Sequence, residues 1–160
     1  MPAADLSGDR VAERLGALEE GYASFPVNQM TLSVSPDAYE RARERCESGL
    51  ADVYVQISND VGDVLLVDGE EGWVVPHAQP GVGESIEMGT RRALAEHTGV
   101  ACRLTDLERA TILGVADESH PERDPVYRLV VVFAAERTGG TPGQGATWHS
   151  TLPERALPTH

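Results

Sequence analysis

The sequence predicts an α+β fold, in which a mixed β-sheet packs against helices. Three observations lead to this prediction: a length of 160 residues, an apolar content of 41%, and the order of strand-like and helix-like segments. A chain of this length can form a hydrophobic core without disulfides or a structural metal. Strand and helix patterns that follow one another along a chain favour a sheet covered by helices.

The first fifty residues predict helices joined by a short extended stretch. Residues 7–20 carry apolar side chains at helical spacing, and Ser7 is the expected N-cap. The Ser-Pro pair at positions 35–36 occupies the preferred cap and first-turn positions of a second helix. We therefore expect residues 1–50 to form a helical N-terminal extension to a domain that spans residues 51–160.

The rest of the chain predicts a sheet interrupted by one helix. The predicted strands span residues 51–58, 63–67, 73–75, 108–116 and 126–135. A loop rich in Gly and Pro leads into a helix over residues 85–98, which Gly99 ends. A second glycine-rich loop covers residues 138–145, and Trp148 begins a short C-terminal segment. This order of elements is typical of a mixed sheet.

Charge restricts the classes of partner. The chain has 26 acidic and 13 basic residues, all of the latter Arg, and a formal net charge of −13. Such a surface disfavours nucleic-acid backbones and anionic membranes. Acidic residues without Lys fit the cytoplasm of a halophile, where salt screens the repulsion among them. The alternative is a GC-rich genome that encodes Arg in place of Lys.

The sequence predicts a cytoplasmic protein. No apolar run approaches the roughly 18–20 residues of a membrane-spanning helix. The N-terminal residues lack the charged start and apolar stretch of a signal peptide. Cys46 and Cys102 belong to no paired motif, so we expect both thiols to lie in the core.

Residues 73–100 carry the pattern that bears most on function, WVVPHAQPGVGESIEMGTRRALAEHTGV. It resembles the signature of the Nudix hydrolases: Gly, five residues, Glu, seven residues, Arg-Glu, an apolar residue, any residue, Glu-Glu, any residue, Gly and an apolar residue. Over residues 78–100, the positions that match without a gap are Glu84, Arg92, Leu94, Glu96, Gly99 and Val100. Trp148 with residues 152–154 is similar to the family's C-terminal tail. The resemblance implies an α/β/α sandwich of the Nudix type with a mixed β-sheet.

The segment departs from the signature where the family holds metal ions. His77 and Ala78 stand in place of Gly-Gly, Ala93 replaces the Glu after the Arg, and His97 replaces the second Glu of the pair. Positions 93, 96 and 97 share one helix face, because residues three and four apart are neighbours. The family gathers three carboxylates there, whereas this chain offers a methyl group, the Glu96 carboxylate and an imidazole.

The resemblance implies a divalent-metal-dependent hydrolase of a nucleoside diphosphate linked to another moiety. Nudix hydrolases, as a family, use Mg²⁺ or Mn²⁺ to help water attack a pyrophosphate link. We expect weak or specialised activity, because the box lacks two carboxylates. The alternative is a catalytically inactive Nudix domain that binds a nucleotide-like ligand or a protein partner. A homodimer is compatible with either function.

Residue roles follow from the same resemblance. It assigns catalytic roles to Arg92 and Glu96 and makes Glu96 and His97 the metal ligands. One carboxylate and one imidazole suit Mn²⁺, Zn²⁺ or Ni²⁺ better than Mg²⁺, which requires near-octahedral oxygen ligands. We therefore expect weak binding of Mg²⁺ or Mn²⁺. Glu84 and Gly99 are expected to be structural parts of the box.

Further ligands are expected from loops. His77 precedes the helix and is positioned to approach the helix histidine across the loop. A late loop often supplies an extra carboxylate in the family, which makes Asp117 and Glu118 candidates. Arg91 and Arg128 are candidates for contacts with phosphate groups.

Overall fold

The computed structural model describes residues 3–22, 24–49, 51–70, 72–81 and 83–152. Within these ranges the helices are α1 (Ala3–Gly21), α2 (Pro36–Ser48) and α3 (Ile86–Thr98). The strands are β1 (Val27–Val34), β2 (Ala51–Ser58), β3 (Val64–Gly69), β4 (Gly72–Val74), β5 (His77–Ala78), β6 (Val100–Asp117), β7 (Val126–Gly140) and β8 (Ala146–His149). None of these helices is long and apolar enough to cross a membrane.

The strands form one mixed sheet. Its main path runs β1-β6-β7-β2-β3-β4, with β5 added to β2 and β8 added to β3. β1 pairs in parallel with β6, and β2 pairs in parallel with β7. β6 and β7 form a long antiparallel hairpin at the centre of the sheet. The predicted α+β fold class with a mixed sheet is therefore confirmed.

Helices cover both faces of the sheet. Tyr22, which directly follows α1, packs its ring 5.6 Å from that of Phe133 on β7. Cys46 of α2 lies 3.7 Å from the Nη1 atom of Arg128, also on β7. Successive side chains of a strand point to opposite faces, and positions 128 and 133 differ by an odd number. Hence α1 and α2 lie on opposite sides of β7.

Both N-terminal helices contribute to the main hydrophobic core. Val11 and Leu18 of α1 are 1% and 2% exposed, and Tyr39 of α2 is 2% exposed. These side chains belong to the same buried cluster as the central residues of β2 and β7. Cys46 and Cys102 are free and buried, as the sequence predicts. A boundary between an extension and a domain at residue 50 stays a prediction.

The predicted cap of α2 and the predicted end of α3 are confirmed, and Ser85 caps α3. The Ser35 hydroxyl accepts the backbone N–H of Ala38 at 3.2 Å, and the Ser85 hydroxyl accepts that of Met88 at 3.1 Å. Gly99 ends α3 in the left-handed conformation with a φ of 78°. A side chain at this position would be strained, which explains why glycine ends the helix there.

The boundaries of other elements differ from the sequence predictions. α1 begins at Ala3, so Ser7 lies inside the helix and the predicted N-cap is wrong. β6 begins at Val100 rather than at residue 108, and β7 extends to Gly140 into the predicted loop. The added residues pair with each other in the β6–β7 hairpin through register shifts, and such pairing across a hairpin leaves no clear local pattern.

Candidate functional site

The loop before α3 is tied to that helix through Glu84. Arg92 donates from Nε to Glu84 Oε2 at 2.8 Å and from Nη2 to Oε1 at 2.7 Å. The Gly81 backbone N–H also donates to Oε1, at 2.9 Å. Hydrogen bonds from Arg92 and Gly81 lower the pKa of Glu84 to about 2. This carboxylate is therefore ionised at neutral pH, and both of its oxygens already accept hydrogen bonds.

The same arginine reaches the helix carboxylate. Arg92 Nη1 lies 3.3 Å from Glu96 Oε2, one turn further along α3. The Glu96 side chain is 58% exposed, and His97 beside it is also exposed. Ala93, in contrast, is 5% exposed and belongs to the core side of the helix. The expected common face of positions 93, 96 and 97 is thus divided between core and solvent.

Asp52, at the start of β2, anchors the loop from the other side. Arg128 donates to both Asp52 oxygens, from Nε at 2.8 Å and from Nη2 at 3.1 Å. Arg45 and Gln79 donate to Asp52 Oδ1 at 2.8 and 2.9 Å, and His77 Nε2 lies 3.5 Å from the same oxygen. Asp52 therefore links α2, β7 and the residues that lead into α3.

This carboxylate is charged although it is buried. Burial acts to raise the pKa of Asp52, but hydrogen bonds from His77 and Arg128 hold it well below its ordinary value of 3.8. Arg128 itself is 2% exposed and is occupied by this pair. The expectation that Arg128 contacts phosphate is wrong, because its guanidinium faces the interior. Arg91 is exposed on α3.

The N-terminal helices also contact this loop. Arg14 of α1 donates from Nη1 to the backbone oxygen of Glu84 at 2.7 Å. A Cβ added at Gly49, which ends α2, would collide with the Pro80 carbonyl oxygen. A Cβ at Gly89 of α3 would lie 2.8 Å from the Cβ of Pro80. Close approach at Pro80 thus requires glycine on two sides, and it fixes the loop between α2 and α3.

The loop candidates have other partners. Asp117 is the last residue of β6, whereas α3 connects to the first residue of that strand. Its buried carboxylate accepts the Ser119 backbone N–H at 2.9 Å and lies 3.2 Å from His120 Nδ1 and 3.3 Å from Arg123 Nη1. Glu118 is exposed beside it. These contacts fasten the β6–β7 loop and do not join either carboxylate to α3.

His77 lies against β2. Its ring centroid is 4.8 Å from that of Tyr54, and its Nε2 faces Asp52. Its described contacts do not include His97, so a pocket formed by the two histidines stays a prediction. Across the described ranges, no group of three or more His, Cys, Asp and Glu side chains is arranged to hold a metal ion.

A groove of about 250 Å³ lies near the C-terminal end of α3. Its lining includes Asn59, Arg137, Thr141 and Trp148. The loop on one side of the groove touches α3, because the Gly143 backbone N–H donates to the Thr98 carbonyl oxygen at 2.8 Å. An indole and a guanidinium therefore border an open cavity close to the helix that carries Glu96.

Sequence reasoning missed Asp52 and its ion pair with Arg128, although it had named Arg128 as a candidate for phosphate contacts. Asp52 is the one charged residue in ADVYVQIS, and Arg128 is the one charged residue in the mainly apolar segment VYRLVVVFAA. Buried charges require a partner of opposite sign, so this pattern is itself a signal for an ion pair between strands. The segment at residues 152–154, compared above with the family's tail, lies mostly outside the described residues.

Comparisons with known proteins give matches among solved structures, at low sequence identity. A scan against protein-family models gives no match, and a search of curated proteins gives no match. Among solved structures, an ADP-ribose pyrophosphatase from Streptococcus suis matches at 20% identity over 64% of this chain and 76% of that chain, with a TM-score of 0.46. A pyrophosphohydrolase from Bacillus subtilis matches at 19% identity over 68% of this chain and 67% of that one, with a TM-score of 0.45. A Nudix-family hydrolase from Clostridium perfringens matches at 16% identity over 63% of this chain and 81% of that one, with a TM-score of 0.45.

Proposed function

We propose that this chain is a Nudix-type hydrolase of a nucleoside diphosphate linked to another moiety, and that its hydrolysis is weak. The observation that carries the proposal is the cluster of Arg92 with Glu84 and Glu96. These residues stand at the spacing of the family signature, and in the structure they contact one another. Arg92 thus joins the loop carboxylate of Glu84 to the helix carboxylate of Glu96.

The chain's own residues position this cluster. Arg92 binds Glu84 through two hydrogen bonds, a planar arrangement that orients the guanidinium, and directs its remaining nitrogen towards Glu96. Asp52 and Arg14 hold the loop from two sides. The Glu96 side chain on α3 is 58% exposed, so a charged substrate has access to it.

The donor set does not fit the three-carboxylate Mg²⁺ site that the resemblance implies. Mg²⁺ needs near-octahedral oxygen ligands, and the buried Ala93 methyl group supplies none. Glu84 is occupied by Arg92 and by the Gly81 N–H. Glu96 contacts Arg92 through Oε2 at 3.3 Å, but its side chain is exposed, as is His97. A carboxylate and an imidazole suit Mn²⁺ better than Mg²⁺. This loss of oxygen ligands is the physical reason for expecting weak hydrolysis.

A second candidate function is binding without hydrolysis, of a nucleotide-like ligand or a protein partner. The burial of Ala93 favours it, because the position that carries a carboxylate in the family has become part of the core. The groove beside Trp148 and Arg137 offers an aromatic surface and a positive charge to a nucleotide-like ligand. Both candidate functions involve the C-terminal end of α3, and they differ in whether the bound ligand is hydrolysed.

Calorimetric titration with Mn²⁺ tests the metal assignment. It is carried out in molar KCl, so that nonspecific attraction of the cation to the acidic surface is screened. We expect weak binding to the native chain, loss of that binding in Glu96→Ala, and native behaviour in Glu108→Ala, which removes an exposed carboxylate of β6. Equal binding by both variants would show that Glu96 is not the ligand.

Turnover separates the two candidate functions. The native chain is incubated with ADP-ribose, a nucleoside diphosphate linked to a sugar, in the presence of Mn²⁺, and AMP release is measured. Slow release that disappears in Glu96→Ala supports the hydrolase. Saturable binding of ADP-ribose with no AMP release in either protein favours the binding domain instead.

A further inference from the structure

β1 forms an open edge of the sheet, and its backbone directions follow from two hydrogen bonds. The Ala110 N–H donates to the Pro26 carbonyl at 3.0 Å, and the Glu118 N–H donates to the Val34 carbonyl at 2.9 Å. The N–H and C=O groups of successive strand residues point alternately to the two sides of the strand. Even-numbered residues of β1 therefore face β6. The odd-numbered residues direct their N–H and C=O groups away from the sheet.

This outer edge has no partner strand among the described residues. The residues whose backbone N–H and C=O groups point away from the sheet are Val27, Gln29, Thr31 and Ser33. Each brings one backbone donor and one backbone acceptor, so the edge offers a row of unpaired hydrogen-bonding groups. Such a row is a template for another strand.

The composition of β1 leaves this edge unprotected. Proteins usually guard an exposed edge with charged residues, proline or a bulge. The strand VNQMTLSV has no charged residue and no proline, although the whole chain carries a net charge of −13. Val27 and Leu32 are 43% and 38% exposed. A charge-free strand is where two copies of such an acidic chain can approach without bringing like charges together.

We propose that β1 pairs with β1 of a second copy of this chain, antiparallel, in a twofold-symmetric dimer. A register centred on Met30 places Val27 opposite Ser33 and Gln29 opposite Thr31, and symmetry repeats both pairs. Every residue that points outward then meets one that points outward in the other copy, so all their N–H and C=O groups are paired. The interface is isologous, as twofold symmetry requires, and the sheet continues through both copies.

Sedimentation velocity in molar KCl over a series of protein concentrations tests this dimer. We expect native chain to sediment as a dimer that dissociates on dilution. Thr31→Pro removes an N–H that points away from β6, so the monomer's own ladder is kept while the dimer ladder is broken. This variant should sediment as a monomer with native circular dichroism.

A second pair of variants keeps the test decisive if the proline variant fails to fold. Gln29→Glu with Thr31→Glu places carboxylates opposite each other in the proposed register, and it should abolish the dimer. Gln144→Glu with Thr138→Glu makes the same chemical changes at exposed positions outside β1, and it should leave the dimer intact. A native chain that stays monomeric at every concentration would overturn the proposal. So would a dimer that survives the changes in β1, because a different face would then hold it.

Discussion

The buried Asp52–Arg128 pair gives the sharpest prediction about what holds the loop before α3. Asp52→Asn keeps the shape of the side chain and removes its charge. The side chains of Asp52 and Arg128 are 10% and 3% exposed, so the arginine would be left as a buried cation. Removing one partner of a buried ion pair costs about 3–5 kcal/mol. For a domain of this size, that corresponds to a fall in Tm of roughly 6–20 °C.

Thermal unfolding followed by circular dichroism in molar KCl measures this effect. The matched control is Glu136→Gln, which removes the same kind of charge from an exposed pair. Glu136 Oε2 lies 2.7 Å from Arg103 Nη2, and the two side chains are 61% and 68% exposed. Exposed pairs contribute about 0–1 kcal/mol, so the control should change Tm little. A shift in Asp52→Asn no larger than that in the control would refute the account of Asp52 as a loop anchor.

The Asp52–Arg128 pair also predicts how the stability of the fold changes at acid pH. The pKa of Asp52 in the folded state lies below its ordinary value of 3.8, because hydrogen bonds from His77 and Arg128 outweigh the effect of burial. The stability contributed by Asp52 is therefore complete above that value and is lost as pH falls below it. Asp52→Asn should reduce the dependence of Tm on pH in this acid range.

Two further predictions concern the whole chain. In the halophile interpretation, Tm should rise with KCl well beyond about 0.15 M, because screening relieves acidic repulsion; a Tm that is flat up to molar KCl would contradict that interpretation. A chain that begins at residue 51 lacks the buried Val11, Leu18 and Tyr39, so it should melt at lower temperature or aggregate. A monodisperse truncated chain with native Tm would show that α1 and α2 do not stabilise the sheet.

Local sequence signals predicted the elements that have local causes. Ser35 caps α2 and Gly99 ends α3 as predicted, because each acts on the backbone within a few residues of itself. The predicted cap at Ser7 is wrong, because α1 begins at Ala3. The long β6–β7 hairpin was only partly predicted. Its added residues, such as Arg103 and Glu136, are exposed and polar, and cross-strand pairing rather than an apolar pattern makes them strands.

In the candidate site, too, local contacts could be predicted from the sequence and contacts between distant segments could not. The spacing of Glu84, Arg92 and Glu96 indicated a cluster, and the structure brings these side chains into contact. The role of Asp52 depends on strands and loops that are distant in sequence, so no motif revealed it. Helical spacing also suggested that Ala93 shares a face with Glu96. On a helical wheel Ala93 does lie near Glu96, but α3 packs so that Ala93 is buried in the core.

The rate of ADP-ribose hydrolysis by Ala93→Glu with His97→Glu, compared with the native chain, tests the central claim most directly. The double change introduces carboxylates at positions 93 and 97, the two positions of the family signature where this chain lacks them. Because loss of one catalytic group commonly costs a few kcal/mol, we expect the rate with Mg²⁺ to rise by orders of magnitude. If the change at buried Ala93 prevents folding, the single variant His97→Glu is measured instead. It alters an exposed position and should give a smaller rise in rate. Rapid Mg²⁺-dependent turnover by the native chain that Glu96→Ala leaves unchanged would contradict the claim and place the reaction elsewhere.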